Sequence, residues 1–362
     1  MHDAPSGAAA RAAALVRPEI RAIDAYHVPP AAGLVKLDAM ENPYDLPAAL
    51  RERIARVVAD VPVNRYPDGS GQAVVAALRT AYGIPEHLGV VLGNGSDELI
   101  QIITLALARP GAVMLAPTPT FVMYRNNALY AGMRFAGVDL TADFELDMPA
   151  MRAAIARERP ALVFLAYPNN PTGNLFAPEH VREIITTAPG LVVIDEAYEA
   201  FAGTTFLQEI DTHPNVLVLR TVSKVGLAGL RLGYAVAARA WTDELQKLRP
   251  PYNVNALTQA VAPLVLAERA LLDGQAAAIR SERERLGSAL ARLPGVAVWP
   301  SRTNFVLIRV PDANAWHAGL RGAGILVKNV HGTHPLLTEC LRVTVGTPQE
   351  NDALLAALER LA

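Results

Sequence analysis

Lys224 lies in Arg220-Thr-Val-Ser223-Lys224-Val-Gly226-Leu-Ala-Gly229-Leu-Arg231-Leu-Gly233-Tyr234, just past an apolar run and in a glycine-containing loop. Burial lowers the pKa of an amine and frees it as a nucleophile, so Lys224 is a candidate Schiff-base former. A surface lysine that snorkels would carry the same local signature. In Leu191-Val-Val-Ile-Asp195-Glu196-Ala-Tyr198 a carboxylate closes a second apolar run. The C-terminal ends of strands face the ligand crevice of an open α/β sheet, which makes Asp195 a candidate site acid. A metal-holding acid or a helix N-cap would look alike, but a nucleotide site of that kind needs a G-x-x-x-x-G-K-[ST] loop, and the chain has none. Tyr167-Pro-Asn169-Asn170-Pro171-Thr172-Gly173 also follows an apolar run. Its prolines and glycine set a turn that presents Asn170 with little freedom, although a plain loop uses similar residues. Gly93-Asn94-Gly95-Ser96-Asp97-Glu98 joins a further apolar run to a helical pattern. Small residues there let backbone N–H groups approach an anion at a helix N-terminus; Ser96 could equally be a simple N-cap.

The elements that must position these residues are legible as alternation. Strand candidates are Gly89–Leu92, Ala112–Ala116, Leu162–Tyr167, Leu191–Asp195, Val216–Arg220 and Leu232–Ala237, several of them continuously apolar as for strands buried on both faces. Asp97–Ala108, Thr120–Ala131 and Pro178–Thr187 are long enough for helices between them, and Pro47–Asp60 is amphipathic. Such alternation means an α/β unit with a largely parallel sheet. After Pro250–Pro251 a helical stretch over Leu257–Leu293 is expected. Strands over Asn304–Val310, Gly324–Asn329 and Leu341–Val345, with helices over Ala313–Arg321 and Gln349–Leu361, then make a smaller α+β unit. The expected division is a flexible N-terminal tail over 1–20, a large domain over 47–250, and a small domain from 21–46 plus 251–362.

Composition excludes several classes. With 362 residues, 51% hydrophobic and 19% charged, the chain is long enough for about two domains and is not a disordered one. A net charge of -2 argues against a protein built mainly to hold nucleic acid. One cysteine, Cys340, excludes disulfide frameworks and cysteine-based zinc sites, and the 8 histidines show no H-E-x-x-H spacing, so no metal is expected. No uncharged apolar run approaches a membrane span, and Arg11 and Arg17 interrupt the Ala-rich N-terminus where a signal peptide would be apolar.

Taken together, a lysine, a strand-end aspartate, a turn-held asparagine, a tyrosine and an anion-binding helix start match what pyridoxal phosphate needs: an amine for its aldehyde, an acid for its ring nitrogen, donors for its ring oxygen and phosphate. The order NNPTG, DEAY, SK and RLGY resembles the fold-type-I pyridoxal-phosphate-dependent aminotransferases, over nearly the whole chain from about Tyr26 to Arg342. Leu37-Asp-Ala-Met-Glu41-Asn42-Pro43, Asn64-Arg65-Tyr66-Pro67-Asp68, Pro251-Tyr252-Asn253-Val254-Asn255 and Leu341-Arg342-Val343-Thr344-Val345-Gly346-Thr347 are similar to the branch acting on histidinol phosphate.

That resemblance implies a large domain with a mostly parallel sheet plus a smaller α+β domain, and pyridoxal 5'-phosphate as cofactor. It implies Lys224 as Schiff-base lysine and proton shuttle, Asp195 on the pyridine nitrogen, and Asn170 and Tyr198 on the ring 3-oxygen. Ser96 and Asp97, through backbone N–H groups, would hold the cofactor phosphate with Ser223 and Arg231, and Phe121 would stack on the ring. Tyr66 would reach the phosphate of the neighbouring subunit of a homodimer. Arg342 would bind the substrate anion, Tyr26 would close the pocket, and Lys328 would assist phosphate binding as a point charge where many relatives carry arginine. Lys224 and Arg231 stand seven apart where many relatives have eight, which implies a tighter loop. The expected reaction is reversible transamination of L-histidinol phosphate with 2-oxoglutarate, yielding imidazole acetol phosphate and L-glutamate, in the cytoplasm as a step of L-histidine biosynthesis. A decarboxylase acting on threonine phosphate, an aromatic or broad-specificity aminotransferase, and a non-enzymatic regulator built on such a domain are the rival readings. No nucleic acid or membrane partner is expected.

Overall fold

Strand β1 (Val35–Leu37) is followed by β2 (Gly89–Asn94), β3 (Val113–Thr118), β4 (Arg134–Asp139), β5 (Leu162–Ala166), β6 (Leu191–Asp195), β7 (Val216–Thr221) and β8 (Leu232–Ala237). Strands β9 (Ala297–Val298), β10 (Phe305–Arg309), β11 (Ile325–Asn329) and β12 (Cys340–Thr344) complete the set in the computed structural model, which describes residues 7–25 and 27–362. The large sheet has the order β2-β8-β7-β6-β5-β3-β4, and the small one β1-β11-β12-β10-β9. In the large sheet β3 through β7 pair in parallel, while β8 runs antiparallel to both β7 and β2. The mostly parallel sheet and smaller α+β unit expected from the sequence are therefore present.

The central strands are apolar on both faces because both faces are covered. Val163, Leu165, Val192, Ile194, Val216 and Val218 enter one core, whereas Leu162, Phe164, Leu191, Val193, Leu217 and Leu219 enter the other. This is the period-two alternation of a strand with no solvent face. A third core packs the small sheet against helix Arg269–Leu290 and helix Pro348–Glu359, the latter begun by a Thr347–Glu350 capping box.

Several elements differ from expectation. Strand β4 has no counterpart among the expected strands: it is an edge strand, paired only with β3, and its Arg134-Phe-Ala-Gly-Val-Asp139 carries little continuous apolar character. The helix expected over Leu257–Leu293 is two helices, Ala256–Leu266 and Arg269–Leu290, separated where Glu268 leaves helical geometry (ψ 41°) without any glycine or proline to announce it. Val261, Val265 and Leu266 pack into the same core as Leu50, Val74 and Leu78, so chain beyond the expected boundary at 250 covers the large sheet. Within the segment expected to be a flexible tail, Ala8–Leu15 and Pro18–Arg21 are helical, and Arg17 Nη2 donates to Tyr130 O at 2.6 Å. No helix among the described residues is long and apolar enough to cross a membrane.

Candidate active site

Parallel strands bring their C-terminal ends to one edge of the sheet, and this places the chemistry. Asp195 ends β6, Asn170 follows β5, Lys224 follows β7 and Ser96 follows β2. Because β8 is antiparallel, its N-terminal end reaches the same edge and delivers Arg231 there. A cavity of about 220 Å³ opens at that edge, and Ser96, Asp97, Phe121, Asn170, Asp195, Tyr198, Ser223, Lys224 and Arg231 all line it. Nine of the residues singled out in sequence thus converge. Arg342 and Lys328 are outside the lining, facing each other across the β11–β12 pair, but Arg342 joins the site through Asn170. Tyr66 is 80% exposed and stacked on Tyr252, outside the cavity of its own chain. Tyr26 lies outside the described residues.

The Asn-Asn turn divides its labour. Asn169 is fully buried and holds the turn: its amide donates to Pro119 O at 3.0 Å and Thr172 Oγ1 at 2.7 Å, and it accepts from Thr120 Oγ1 at 2.8 Å. Asn170 is thereby free to face the cavity, where its Oδ1 accepts from Arg342 Nη1 at 2.6 Å. Arg342 Nη2 donates to Asp38 O at 2.7 Å and its guanidinium lies 5.4 Å from the Phe305 ring, so the arginine is fixed before any anion arrives.

The lysine loop is a wide turn over Ser223–Leu227 with Gly226 at φ 116°, followed by a tighter turn over Ala228–Leu230. Arg231 then takes the left-handed conformation (φ 49°), rare for a side-chain-bearing residue. This reversal closes the shortened loop and still aims Arg231 at the start of helix Ser96–Leu107, its Nη2 3.6 Å from Asp97 Oδ2. Gly233 is required here: a Cβ on it would stand 2.5 Å from Gly95 C and Ser96 N. Asn42 ties the loop down by donating to Val225 O at 3.2 Å and Gln275 Oε1 at 2.9 Å. Glu98 steadies the helix start by accepting from Asn94 N–H and Asn253 Nδ2, each at 2.6 Å.

Burial sets the electrostatics. The Lys224 amine is lowered to about 8, first by desolvation and then by the positive charge of Arg342. Its Nζ donates to Ala39 O at 3.2 Å. The Asp195 carboxyl is raised to about 6 by burial, against the hydrogen bonds from Tyr124 (2.7 Å) and Ala197 N–H (3.1 Å). Burial also raises the Tyr198 phenol, whose hydroxyl donates to Met40 Sδ at 3.0 Å.

Sequence reasoning missed Tyr124, Ala39, Met40 and Glu41, all of which line the cavity. Tyr124 had one available signal, its spacing of three from Phe121 on a predicted helix. The other three lie in a quoted motif, but nothing local says that the chain there crosses above Lys224.

The donor set fits pyridoxal 5'-phosphate. An amine and a buried acid share one cavity, a phenylalanine flanks it, and helix-start N–H groups with Ser223 and Arg231 offer an anion cradle into which a Cβ at position 233 would force change. The chain belongs to the aminotransferase class I and II family, whose model matches residues 32–358. It is 56% identical to a histidinol-phosphate aminotransferase of Chromobacterium violaceum, covering 96% of this chain and 97% of that one. It is 51% identical to histidinol-phosphate aminotransferase 2 of Cupriavidus pinatubonensis, over 95% of each. The solved structure of histidinol-phosphate aminotransferase from Sinorhizobium meliloti in complex with pyridoxal-5'-phosphate superposes with a TM-score of 0.85 at 26% identity, covering 96% of this chain and 97% of that one.

Proposed function

We propose that this chain is a pyridoxal-phosphate-dependent aminotransferase that reversibly converts L-histidinol phosphate and 2-oxoglutarate to imidazole acetol phosphate and L-glutamate, in L-histidine biosynthesis. The observation that carries it is one cavity holding Lys224, Asp195 and Asn170, in a chain matched over 95–96% of its length at 51–56% identity by relatives named for that substrate.

Bound, the cofactor supplies an aldehyde for covalent attachment and an electron-withdrawing ring that stabilises negative charge at the substrate Cα. Lys224 would hold it covalently, and its amine would take the proton from the substrate Cα. An amine lowered to about 8 keeps a useful neutral fraction near neutral pH. Asp195, buried at the end of β6, would hold the proton on the ring nitrogen. Asn170 and Tyr198 would hydrogen-bond the ring oxygen, and Phe121, which lines the same cavity, would stack on the ring. Backbone N–H groups of Ser96 and Asp97, with Ser223 and Arg231, hold the phosphate. Arg342 binds the substrate phosphate in one half-reaction and a carboxylate in the other, since its donor fork fits both, with Lys328 adding charge beside it.

We also infer a homodimer with shared sites: the exposed Tyr66, outside its own cavity, is free to reach the phosphate bound by a second copy. The cytoplasm is the inferred compartment. The test is a single-turnover absorbance scan. L-Histidinol phosphate is expected to bleach the yellow protein, and 2-oxoglutarate to restore the colour. A yellow protein indifferent to histidinol phosphate overturns the substrate and turns attention to carbon dioxide release from threonine phosphate. A protein that takes up no pyridoxal phosphate overturns the cofactor.

A further inference from the structure

Tyr124 has no part in the proposed reaction as derived from Lys224, Asp195 and Asn170, and a role for it rests on the cofactor reading. Its side chain is fully buried, stacked on Phe164 (centroids 4.4 Å apart, planes at 11°) and edge-on to Phe121 (5.6 Å, 86°). A ring clamped in this way presents its one hydroxyl in one direction, and that direction is Asp195 Oδ2, at 2.7 Å. The other carboxylate oxygen accepts the Ala197 N–H at 3.1 Å. A carboxylate rotates about a single bond, so donors fixed on both oxygens leave it one orientation. Its remaining lone pairs are available to the cavity that Asp195 lines.

We propose that Tyr124 is a positioning residue: its hydroxyl sets both the rotation of Asp195 and the strength with which that carboxylate holds the proton of the cofactor's ring nitrogen. The phenol is suited to this because burial holds its own ionisation well above 10, so it remains a donor across the working pH range. Tyr124 also offsets more of the burial cost of a charged Asp195 than the Ala197 N–H does. The other ionisable groups acting on Asp195 are Asp97 and Glu196, which oppose its charge, and Tyr198 beside it, with Lys224 across the cavity. The helix Val122–Tyr130 adds a coupling. Phe121 is its N-cap and Tyr124 lies three residues on, donating its N–H to Phe121 O at 3.2 Å. The group over the ring face and the group behind the ring's acid therefore share one backbone turn.

The experiment is a pH titration of the visible absorbance of the pyridoxal-phosphate-loaded protein, wild type against Tyr124→Phe, together with steady-state kinetics. Without the donor, Asp195 becomes a stronger base and draws the shared proton toward itself. The ring nitrogen loses positive charge, and the cofactor-linked nitrogen of Lys224 holds its proton to higher pH. The expected result is a midpoint raised by about half to one pH unit, with kcat lowered about tenfold and KM for both substrates little changed. In an Asp195→Asn background the same substitution is expected to move nothing further. An unmoved midpoint in Tyr124→Phe, or an equal shift in both backgrounds, overturns the inference while leaving the cofactor reading intact. If Tyr124→Phe does not fold, 3-fluorotyrosine at 124 provides a stronger donor of nearly the same shape, for which the midpoint must fall. A wild-type protein with no visible band overturns the cofactor reading, and this inference with it.

Discussion

Glu196→Gln tests the floor beneath the site. Glu196 follows Asp195 in the chain, is fully buried, and meets Arg220, itself 3% exposed. Arg220 Nε and Nη2 reach Glu196 Oε2 at 2.9 and 2.8 Å. The Thr205 hydroxyl lies 2.8 Å from the same oxygen, and Phe206 N–H donates to Oε1 at 2.6 Å. Every partner is a donor, which suits an acceptor-only carboxylate. An amide has one acceptor oxygen, so its NH₂ must confront a donor while the guanidinium loses its counter-charge. Breaking a buried pair by removing one partner costs about 3–5 kcal/mol, so Glu196→Gln is expected to lower unfolding free energy by roughly 4 kcal/mol, close to a thousandfold in the folding equilibrium. Arg220→Met is expected to cost a similar amount. The double substitution Glu196→Gln with Arg220→Met removes both buried charges and is expected to recover at least half of the summed loss. Urea unfolding of all four proteins, followed by tryptophan fluorescence and circular dichroism, measures this. A loss below about 1 kcal/mol in Glu196→Gln, or a double variant whose loss equals the sum of the singles, would refute the view that a desolvated ion pair ties β6 to β7. Because Glu196 adjoins Asp195 and Arg220 precedes Thr221 and Ser223, cofactor affinity is expected to fall together with stability.

Three further outcomes are expected. Lys224→Ala abolishes the visible band on addition of pyridoxal phosphate and abolishes turnover; retention of either shows that another group carries the covalent link. Arg342→Lys keeps the charge but loses the fork, so KM is expected to rise for both histidinol phosphate and glutamate, and a rise for only one contradicts a shared anion site. Asp195→Asn slows turnover by at least ~10²-fold and also changes the pH dependence of stability. The folded-state pKa of Asp195 is about 6, above the usual 3.8, so its contribution favours folding below pH 3.8 and is lost as pH rises through about 6. The cofactor-free Asp195→Asn protein is therefore expected to gain about 1–3 kcal/mol over wild type at pH 8 and little at pH 4. Equal differences at the two pH values in urea titrations would contradict this.

The features legible in the chain are those that local pattern encodes. Strands β5, β6 and β7 are covered on both faces, so their burial appears as mainly apolar runs, and the polar residues at or shortly past the end of each run mark the crevice. That is sufficient to bring Asp195, Asn170 and Lys224 to one place. Strand β4, paired on one side only, has no such run, and the break at Glu268 has no residue type that demands it. The pairs that tune the site are hidden for a different reason. Tyr124 and Asp195 are 71 residues apart, Asn170 and Arg342 are 172 apart, and each contact depends on rotamers chosen by third parties. Phe164 clamps Tyr124, and Phe305 lies against Arg342. Nothing in a residue's neighbourhood along the chain reports such contacts. The seven-residue spacing from Lys224 to Arg231 makes the same point in reverse. The shortened loop is legible from the sequence, whereas its resolution by a left-handed Arg231 and a wide turn at Gly226 is a property of the closed backbone. Chemistry-bearing types at strand ends are local facts. Their protonation and aim belong to the packed cavity, so the predictions that discriminate best perturb Tyr124 and Glu196, which act through Asp195 and Arg220.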